Sequence, residues 1–188
     1  YADKETADRQ PSALPLVAER RRPPAADPLR DVGPMAADVA RPSLKNACLA
    51  YLLLLDDEEC RDLAYQQYHA QDNMTDVLAA LTALVNSDSA AGQDMARELL
   101  ADFHTRWRHE ALAMNLWFQT QALRPGAATL DDVKRLREHA DFDVRNPNKV
   151  RALLGAFVHS NPGAFHRADH AGYRFLGEVE EVPVDAGP

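Results

Sequence analysis

The sequence has few cysteines and no long apolar run, and each shortage excludes a class of protein. Its 188 residues include only two cysteines, Cys48 and Cys60, which is too few for a disulfide framework. They also lack metal-ligand spacing, so we interpret both as small buried apolar side chains. The longest apolar run, Ala47 to Leu55, is far shorter than the roughly 20 residues that cross a bilayer. We therefore expect a soluble protein without a transmembrane segment.

Positive charge is also scarce. The chain has 21 Lys and Arg residues against 29 Asp and Glu, a formal net charge of -8. Proteins that bind nucleic acids neutralise phosphates with a basic surface. We therefore expect no nucleic-acid partner.

Motifs for catalysis or metal binding are missing as well. The seven histidines are His69, His104, His109, His139, His159, His166 and His170. None pairs with a second His or Cys at a usable spacing with a supporting carboxylate, and no nucleophile has an identifiable base. His166, Asp169 and His170 come closest to a cluster, and we interpret them as residues that fix a turn. The sequence predicts no catalytic residue, no metal site and no cofactor.

The amino-terminal part of the chain is rich in proline, with seven of the twelve prolines in residues 1–42. Proline removes a backbone donor and restricts its neighbour, so residues 1–41 are expected to form an extended, irregular arm. Two interpretations remain open: a solvated linker, or an arm that orders on a protein partner. The candidate partner contacts are four apolar and three basic residues: Leu14, Leu16, Val17, Leu29, Arg20, Arg21 and Arg22.

From Pro42 onward the apolar residues follow helical spacing, and no strand-like alternation occurs. One helix is expected to begin at the Ser43 cap and end at Leu55, and its apolar residues are Leu44, Ala47, Cys48, Tyr51, Leu52 and Leu55. The further helices are expected from Asp56-Asp57, from a Thr75 cap to Val85, over 90–108, over 110–123, from a Thr129 cap to His139, over 147–159 and over 172–182.

The helix over 147–159 has the clearest start signal. Asn146 can cap its first turn, and Pro147 fits the first helical position because the missing N–H is not needed there. Val150, Leu153, Leu154 and Phe157 follow at i, i+3, i+4 and i+7. This spacing predicts an apolar stripe that packs on the rest of the domain, with Trp107, Trp117 and Phe118 also assigned to the core.

Five segments, in order, resemble a known family: Leu44-Lys45-Asn46-Ala47-Cys48-Leu49, Asp72-Asn73-Met74-Thr75-Asp76, Met114-Asn115-Leu116-Trp117-Phe118, Asn146-Pro147-Asn148-Lys149-Val150-Arg151-Ala152-Leu153-Leu154-Gly155, and Phe165-His166 with Gly172-Tyr173. They resemble the C-terminal helical domain of M1 alanyl aminopeptidases of the bacterial aminopeptidase N type, over about residues 42–177. The resemblance implies an all-α superhelical array of antiparallel helix pairs, similar to a HEAT or armadillo solenoid. The expected division is an arm (1–41), the helical domain (42–182) and a tail (183–188).

The family's chemistry resides in an upstream catalytic domain, so the resemblance implies no enzyme activity for this chain. The nearest string to the zinc motif His-Glu-x-x-His is His109-Glu110-Ala111-Leu112-Ala113, which has Ala in place of the second ligand. Likewise, Gly33-Pro34-Met35-Ala36-Ala37 has no Glu to hold a substrate amino terminus. Arg151 is the inherited candidate for facing a substrate cavity. Its alternative role is a surface ion pair with Asp141 or Asp143.

The flanks of the helical domain and the loop Asp169-His170-Ala171-Gly172-Tyr173, where the family reads Asp-Gly-Ser-Gly-Tyr, both depart from the family pattern. The favoured hypothesis is a non-catalytic accessory or scaffold subunit that binds other protein subunits through its arm. The alternatives are a fragment of an active zinc metallo-aminopeptidase, in which this domain shapes substrate access, and a small-molecule or peptide-binding module. The first residue is Tyr1, which favours a processed organellar protein of the mitochondrion or plastid over a cytoplasmic one.

Overall fold

A computed structural model describes the backbone of residues 34–180 and the side chains of residues 43–179. This part of the chain is helical and contains no strand, which confirms the all-α prediction. Its α-helices are α1 (Pro34–Leu52), α2 (Glu58–Ala70), α3 (Met74–Val85), α4 (Ala90–Trp107), α5 (Ala111–Ala122), α6 (Thr129–Arg137), α7 (Pro147–Val150), α8 (Ala156–Ser160), α9 (Pro162–Phe165) and α10 (Ala171–Glu180). A 3-10 turn, Leu53–Leu55, follows α1, and a π-helical segment, Arg151–Gly155, joins α7 to α8.

The prediction that Ser43 caps the first helix is wrong. Helix α1 begins at Pro34, so the last residues of the predicted irregular arm are helical. Proline suits the first helical position, where its missing N–H has no partner to lose. Pro42 lies inside this helix, so a proline there is tolerated and does not mark the boundary that we expected. Whether residues 1–33 form an arm stays a prediction, because they lie outside the described residues.

Helix caps were predicted well where the cap is a local hydrogen bond. The Asp57 carboxylate accepts from the Glu59 N–H at the start of α2, at 3.0 Å, as expected. The Asn146 side chain accepts from the N–H groups of Asn148 and Lys149, with Pro147 at the first helical position. Both predicted starts are confirmed, because a short polar side chain in extended conformation satisfies donors that the helix cannot.

Two cap assignments were wrong. The residue that caps α3 is Asn73 and not Thr75: its side chain accepts from the Asp76 N–H at 2.8 Å. Thr129 lies within the first turn of α6, where it is buried, and its hydroxyl donates to the Arg124 carbonyl at 2.6 Å. At α3 a second polar residue, Asn73, takes the capping role, whereas α6 begins after Ala128 and has no side-chain cap.

The core runs through the middle of α2–α5 and the helix that begins at Pro147. Trp117 and Phe118 are buried, as predicted, and Trp107 is partly buried against the same core. Leu153 and Phe157 are fully buried, and Leu154 nearly so. The π-helical segment explains why Ala152, Leu153 and Leu154 all face inward: its wider turn adds a residue to the buried face.

Consecutive helices pack on one another: α2 on α3, α3 on α4, α4 on α5, and α5 on both α6 and the π-helical segment. This is the arrangement expected of an array of antiparallel helix pairs. Cys60 is buried as predicted, but Cys48 is exposed on α1, so its assignment to the core was wrong. No helix within residues 34–180 combines the length and apolar character needed to cross a membrane.

Candidate functional site

The predicted partner contacts in the arm lie outside the described residues. They are Leu14, Leu16, Val17, Arg20, Arg21, Arg22 and Leu29. Their role as a tether therefore stays a prediction. The described residues instead draw attention to three other places: the outer face of α1, the surface around Arg151, and a histidine–aspartate cluster.

The outer face of α1 is an exposed apolar surface. It consists of Leu44, Cys48, Tyr51, Leu52, Leu54, Leu55 and, from α2, Leu63, and we call this set the α1 face. Tyr51 is 74% exposed, Leu54 77% and Leu55 70%. The sequence pattern identified most of this stripe, without Leu54 and Leu63, as the apolar side of the first predicted helix. The side of the helix that packs inward is the one with Leu49 and Leu53, which are 6% and 5% exposed.

A groove lies beside the α1 face. Its volume is about 610 Å³. Its apolar walls are Ala50, Tyr51, Leu53, Leu54, Ala83 and Pro125, and its polar rim is Asp56, Asn86, Ser87, Asp88 and Ser89. Clustered apolar side chains with a polar rim are typical of a protein interaction surface, because most isolated soluble domains do not expose large contiguous apolar patches.

The orientation of α1 is fixed by a polar network under its inner side. Asp76 at the start of α3 is 4% exposed and accepts hydrogen bonds from the Lys45 ammonium and, at 2.8 Å, from the Asn46 amide. Gln67 of α2 donates to the Asn46 side-chain oxygen at 2.8 Å and to the Asp76 carbonyl at 3.0 Å. The hydrogen bond from Lys45 holds the pKa of the Asp76 carboxyl below its ordinary value. Lys45 and Asn46 bond to α3 and α2, and Leu49 and Leu53 are buried on the same side of α1. Leu44 and Tyr51, on the opposite side of the helix, therefore face solvent.

Arg151 opens the π-helical segment, and its side chain is exposed. Within residues 43–179, no ion pair joins it to Asp141 or Asp143, so the expected surface pair was wrong. Its guanidinium instead donates to the Asn148 side-chain oxygen at 3.2 Å, while the Lys149 ammonium donates to the Asp141 backbone carbonyl. Arg151 therefore keeps an uncompensated positive charge at the surface.

A shallow depression surrounds this charge. Val144, Pro147 and Val150 supply apolar contact, and Arg145, Arg151 and His159 supply positive or ionisable groups, with Gly155 completing the lining. π-Helical turns inside α-helices are frequent at functional positions. The arrangement fits a small group that combines an apolar part with negative charge, such as a peptide carboxylate.

The third place, the histidine–aspartate cluster, was not predicted from the sequence. His104 near the end of α4 meets His139 and Asp141, which follow α6, and one ligand atom from each lies within 4.8 Å of the others. The His104 Nε2 and Asp141 Oδ2 atoms are 2.5 Å apart. These residues are 37 positions apart in sequence, so no local spacing could have revealed them.

By contrast, the cluster suggested by sequence, His166, Asp169 and His170, is a turn. The Tyr173 hydroxyl and His166 Nδ1 are 2.6 Å apart, and the Asp169 carboxylate accepts from Arg167 and from the Ala171 N–H at the start of α10. His170 has a left-handed backbone with φ of 56°. This is the place where the resembling family has a glycine, which adopts that conformation without strain.

Comparison with known families gives one match that extends over residues 17–180. The matching model carries the description "Domain of unknown function (DUF3458_C) ARM repeats". The repeat description agrees with the helical array seen here and confirms the predicted solenoid class.

Curated relatives are similar to the chain over most of its length. The chain is 41% identical over 142 residues to aminopeptidase N of Escherichia coli, a match that covers 76% of this chain and 16% of the relative. It is 37% identical over 151 residues to aminopeptidase N of Haemophilus influenzae, covering 80% of this chain and 17% of the relative. The chain thus spans about a sixth of the length of these relatives.

Among solved structures, a crystal structure of Legionella pneumophila aminopeptidase A in complex with aspartic acid is similar to this one. The TM-score is 0.66 and the sequence identity 35%, and the match covers 73% of this chain and 16% of the other. The similarity therefore concerns the same helical part in a much longer protein.

Proposed function

Because the chain belongs to the DUF3458_C ARM-repeat family and is similar to the C-terminal helical domain of aminopeptidase N, we propose that it is a non-catalytic unit of a larger aminopeptidase-type assembly. Its role is structural: a rigid helical array that binds the remainder of the assembly through the α1 face. The observation that carries this proposal is the exposure of leucine and tyrosine side chains along an ordered helix.

The occupant proposed for the α1 face is the remaining polypeptide of an aminopeptidase, whether it is joined to this chain or separate. The curated relatives are about six times longer than the part that the chain matches, so a large protein surface exists for such a contact. Burial of large apolar side chains of the α1 face, such as Tyr51, Leu52, Leu54 and Leu55, contributes roughly 1.5–3 kcal/mol each to the free energy of binding. That gain is enough to hold two bodies together when the surfaces are complementary.

The absence of catalysis is tested with the purified 188-residue chain. We expect no release of amino acid from an alanyl substrate, with or without added zinc, because the sequence has no His-Glu-x-x-His string. A matched positive control is the intact Escherichia coli relative under the same conditions. Zinc-dependent hydrolysis that copurifies with the chain through two further purification steps would contradict the proposal.

The structural role is tested in a chimera, because a fusion keeps the two parts at high effective concentration. Residues 34–180 replace the homologous segment of Escherichia coli aminopeptidase N. We expect an active chimera that loses activity or stability when Leu54 and Leu55 are both changed to Ser. Leu112→Ser is the control, since Leu112 is 80% exposed and lies on α5, away from the α1 face. Equal behaviour of the two variants would argue against the α1 face.

A second function is favoured by the surface around Arg151. In a complete zinc aminopeptidase, this depression would border the route of the substrate, and the free guanidinium would attract its carboxylate end. In the active chimera, Arg151→Ala should raise the KM for tripeptides more than the KM for an uncharged alanyl amide. Arg97→Ala, at an exposed arginine of α4, is the control. A uniform effect on both substrates would exclude a role for Arg151 in substrate access.

A further inference from the structure

His104, His139 and Asp141 come from two separate parts of the fold and meet at one point. His104 lies in the last turn of α4, and the other two lie in the turn that leads from α6 toward Asn146. The exposed fractions of the His104, His139 and Asp141 side chains are 24%, 31% and 29%. The cluster is therefore held by the fold and can still be reached from solvent.

The distances suit a small divalent cation. The Asp141 Oδ2 atom is 2.5 Å from His104 Nε2 and 3.8 Å from His139 Nδ1. In a tetrahedral zinc site with bonds of about 2.0–2.1 Å, neighbouring ligand atoms are about 3.3 Å apart. The first separation must open and the second must close, each by under roughly 1 Å, which side-chain rotation alone can supply.

The chemistry of the donors also fits. Two imidazole nitrogens and one carboxylate oxygen are a donor set that zinc prefers, whereas Mg²⁺ and Ca²⁺ select oxygen ligands. One nitrogen of each imidazole and one Asp141 carboxylate oxygen already lie within 4.8 Å of one another, so the three donors can reach a single ion.

Other groups around the cluster limit the affinity. The Asp141 N–H donates to His139 Nδ1 at 3.1 Å, and a cation would take over that lone pair. The Lys149 ammonium donates to the backbone carbonyl of Asp141. Lys149 and Arg108 both add positive charge near the cluster. These costs favour binding in the micromolar range over the very tight binding of closed four-ligand sites.

We propose that His104, His139 and Asp141 form a zinc-binding site that ties the end of α4 to the turn after α6. Three protein ligands leave a fourth position for water or for a ligand atom of a partner protein. The site is independent of the catalytic zinc motif, which this chain does not contain, and of the α1 face.

A spectroscopic test uses Co²⁺ as the probe and the full 188-residue chain. The Trp117 ring lies 5.3 Å from the His104 ring and 5.2 Å from the His139 ring, so a paramagnetic ion at the site should quench its fluorescence. The chain has two tryptophans, and Trp107→Phe leaves Trp117 as the only one. We expect saturable quenching at one equivalent of Co²⁺, reversal by Zn²⁺, and a Zn²⁺-dependent rise in the melting temperature.

Matched variants decide whether the cluster binds the ion. His104→Gln and Asp141→Asn should each weaken Co²⁺ binding by about 10–100-fold. The Asn side chain in the second variant has the size of Asp and can still form a hydrogen bond with His104. His109→Gln removes an exposed histidine next to α4 and should change nothing. The proposal is overturned if Asp141→Asn binds Co²⁺ like the parent, or if the unmodified chain shows neither saturable quenching nor a melting shift with Zn²⁺. The second measurement needs no variant, so a substitution that impairs folding cannot hide the answer.

Discussion

Asn46 donates a 2.8 Å hydrogen bond to Asp76, a residue 30 positions further along the chain. Each residue belongs to a segment that was singled out in the sequence for its resemblance to aminopeptidases. Their contact explains why these segments occur together: Asp76 caps no helix itself but anchors α1 to the start of α3, while the Asn73 side chain receives the Asp76 N–H. The α1 face is exposed because this network, together with the buried Leu49 and Leu53, holds the opposite side of α1 against α2 and α3.

Asp76→Asn is expected to lower the free energy of unfolding by about 1–3 kcal/mol at pH 7, since a nearly buried carboxylate that accepts from Lys45 and Asn46 becomes an amide with one acceptor fewer. Urea denaturation of the full chain measures this loss. The control is Asp94→Asn, whose carboxylate forms an exposed pair with Arg97 within one helix and should cost under about 0.5 kcal/mol.

The same carboxylate predicts a pH dependence. The Lys45 hydrogen bond puts the folded-state pKa of Asp76 below its ordinary value of 3.8. Its contribution to stability is therefore fully present above pH 3.8 and is lost as the pH falls through the folded-state pKa. The stability difference between the parent and Asp76→Asn should shrink when denaturation is measured at pH 3 instead of pH 7. A stability difference that is larger at pH 3 than at pH 7 would contradict a lowered pKa of Asp76 in the folded state.

The loss of stability when a leucine is replaced by alanine should depend on how deeply its side chain is buried. Leu153→Ala removes a fully buried side chain and should cost about 2–5 kcal/mol. Leu112→Ala, at an 80% exposed position, should stay within about 0.5 kcal/mol of the parent. Thermal and urea denaturation test both. A loss at Leu112 as large as that at Leu153 would mean that α5 packs differently.

His170, in the turn before α10, and Gly172, in the first turn of α10, should respond in opposite ways to substitution. A Cβ at Gly172 would overlap the Phe165 backbone carbonyl, so Gly172→Ala should destabilise by about 1–3 kcal/mol. His170→Gly should be neutral or stabilising by up to about 1 kcal/mol, because glycine relieves the left-handed conformation at φ of 56°. Urea midpoints compare the two variants with the parent. Stabilisation by Gly172→Ala, or a clear loss from His170→Gly, would contradict this account of the turn.

Local signals were sufficient for most of the helices and for several caps, although the short helix α9 (Pro162–Phe165) was not predicted. Asn146 and Asp57 act through hydrogen bonds to residues two or three positions away, and Pro147 needs no N–H partner at the first helical position, so their roles can be predicted from the sequence. Ser43 and Thr75 were assigned wrongly for the same local reason: a suitable polar residue is present, but the chain has already begun its helix at Pro34 or is capped at Asn73.

Features that depend on distant partners could not be predicted in this way. The stripe with Tyr51 and Leu55 is correctly periodic, yet only the bond between Lys45 and Asp76 shows which side of α1 faces inward. Similarly, His104 is brought to His139 by the packing of α4 and α5 against the end of α6. The periodicity of apolar residues shows which of them share one side of a helix, whereas tertiary contacts decide whether that side faces the core or the solvent.

The central claim is that the α1 face binds the rest of an aminopeptidase-type assembly, and the most direct measurement is an affinity. The full 188-residue chain is titrated into Escherichia coli aminopeptidase N from which the homologous segment has been removed, and binding is followed by calorimetry. The account predicts saturable one-to-one binding that Leu54→Ser with Leu55→Ser weakens by at least about tenfold and that Leu112→Ser leaves unchanged. Absence of binding by the parent chain, or equal affinities for all three proteins, would contradict it.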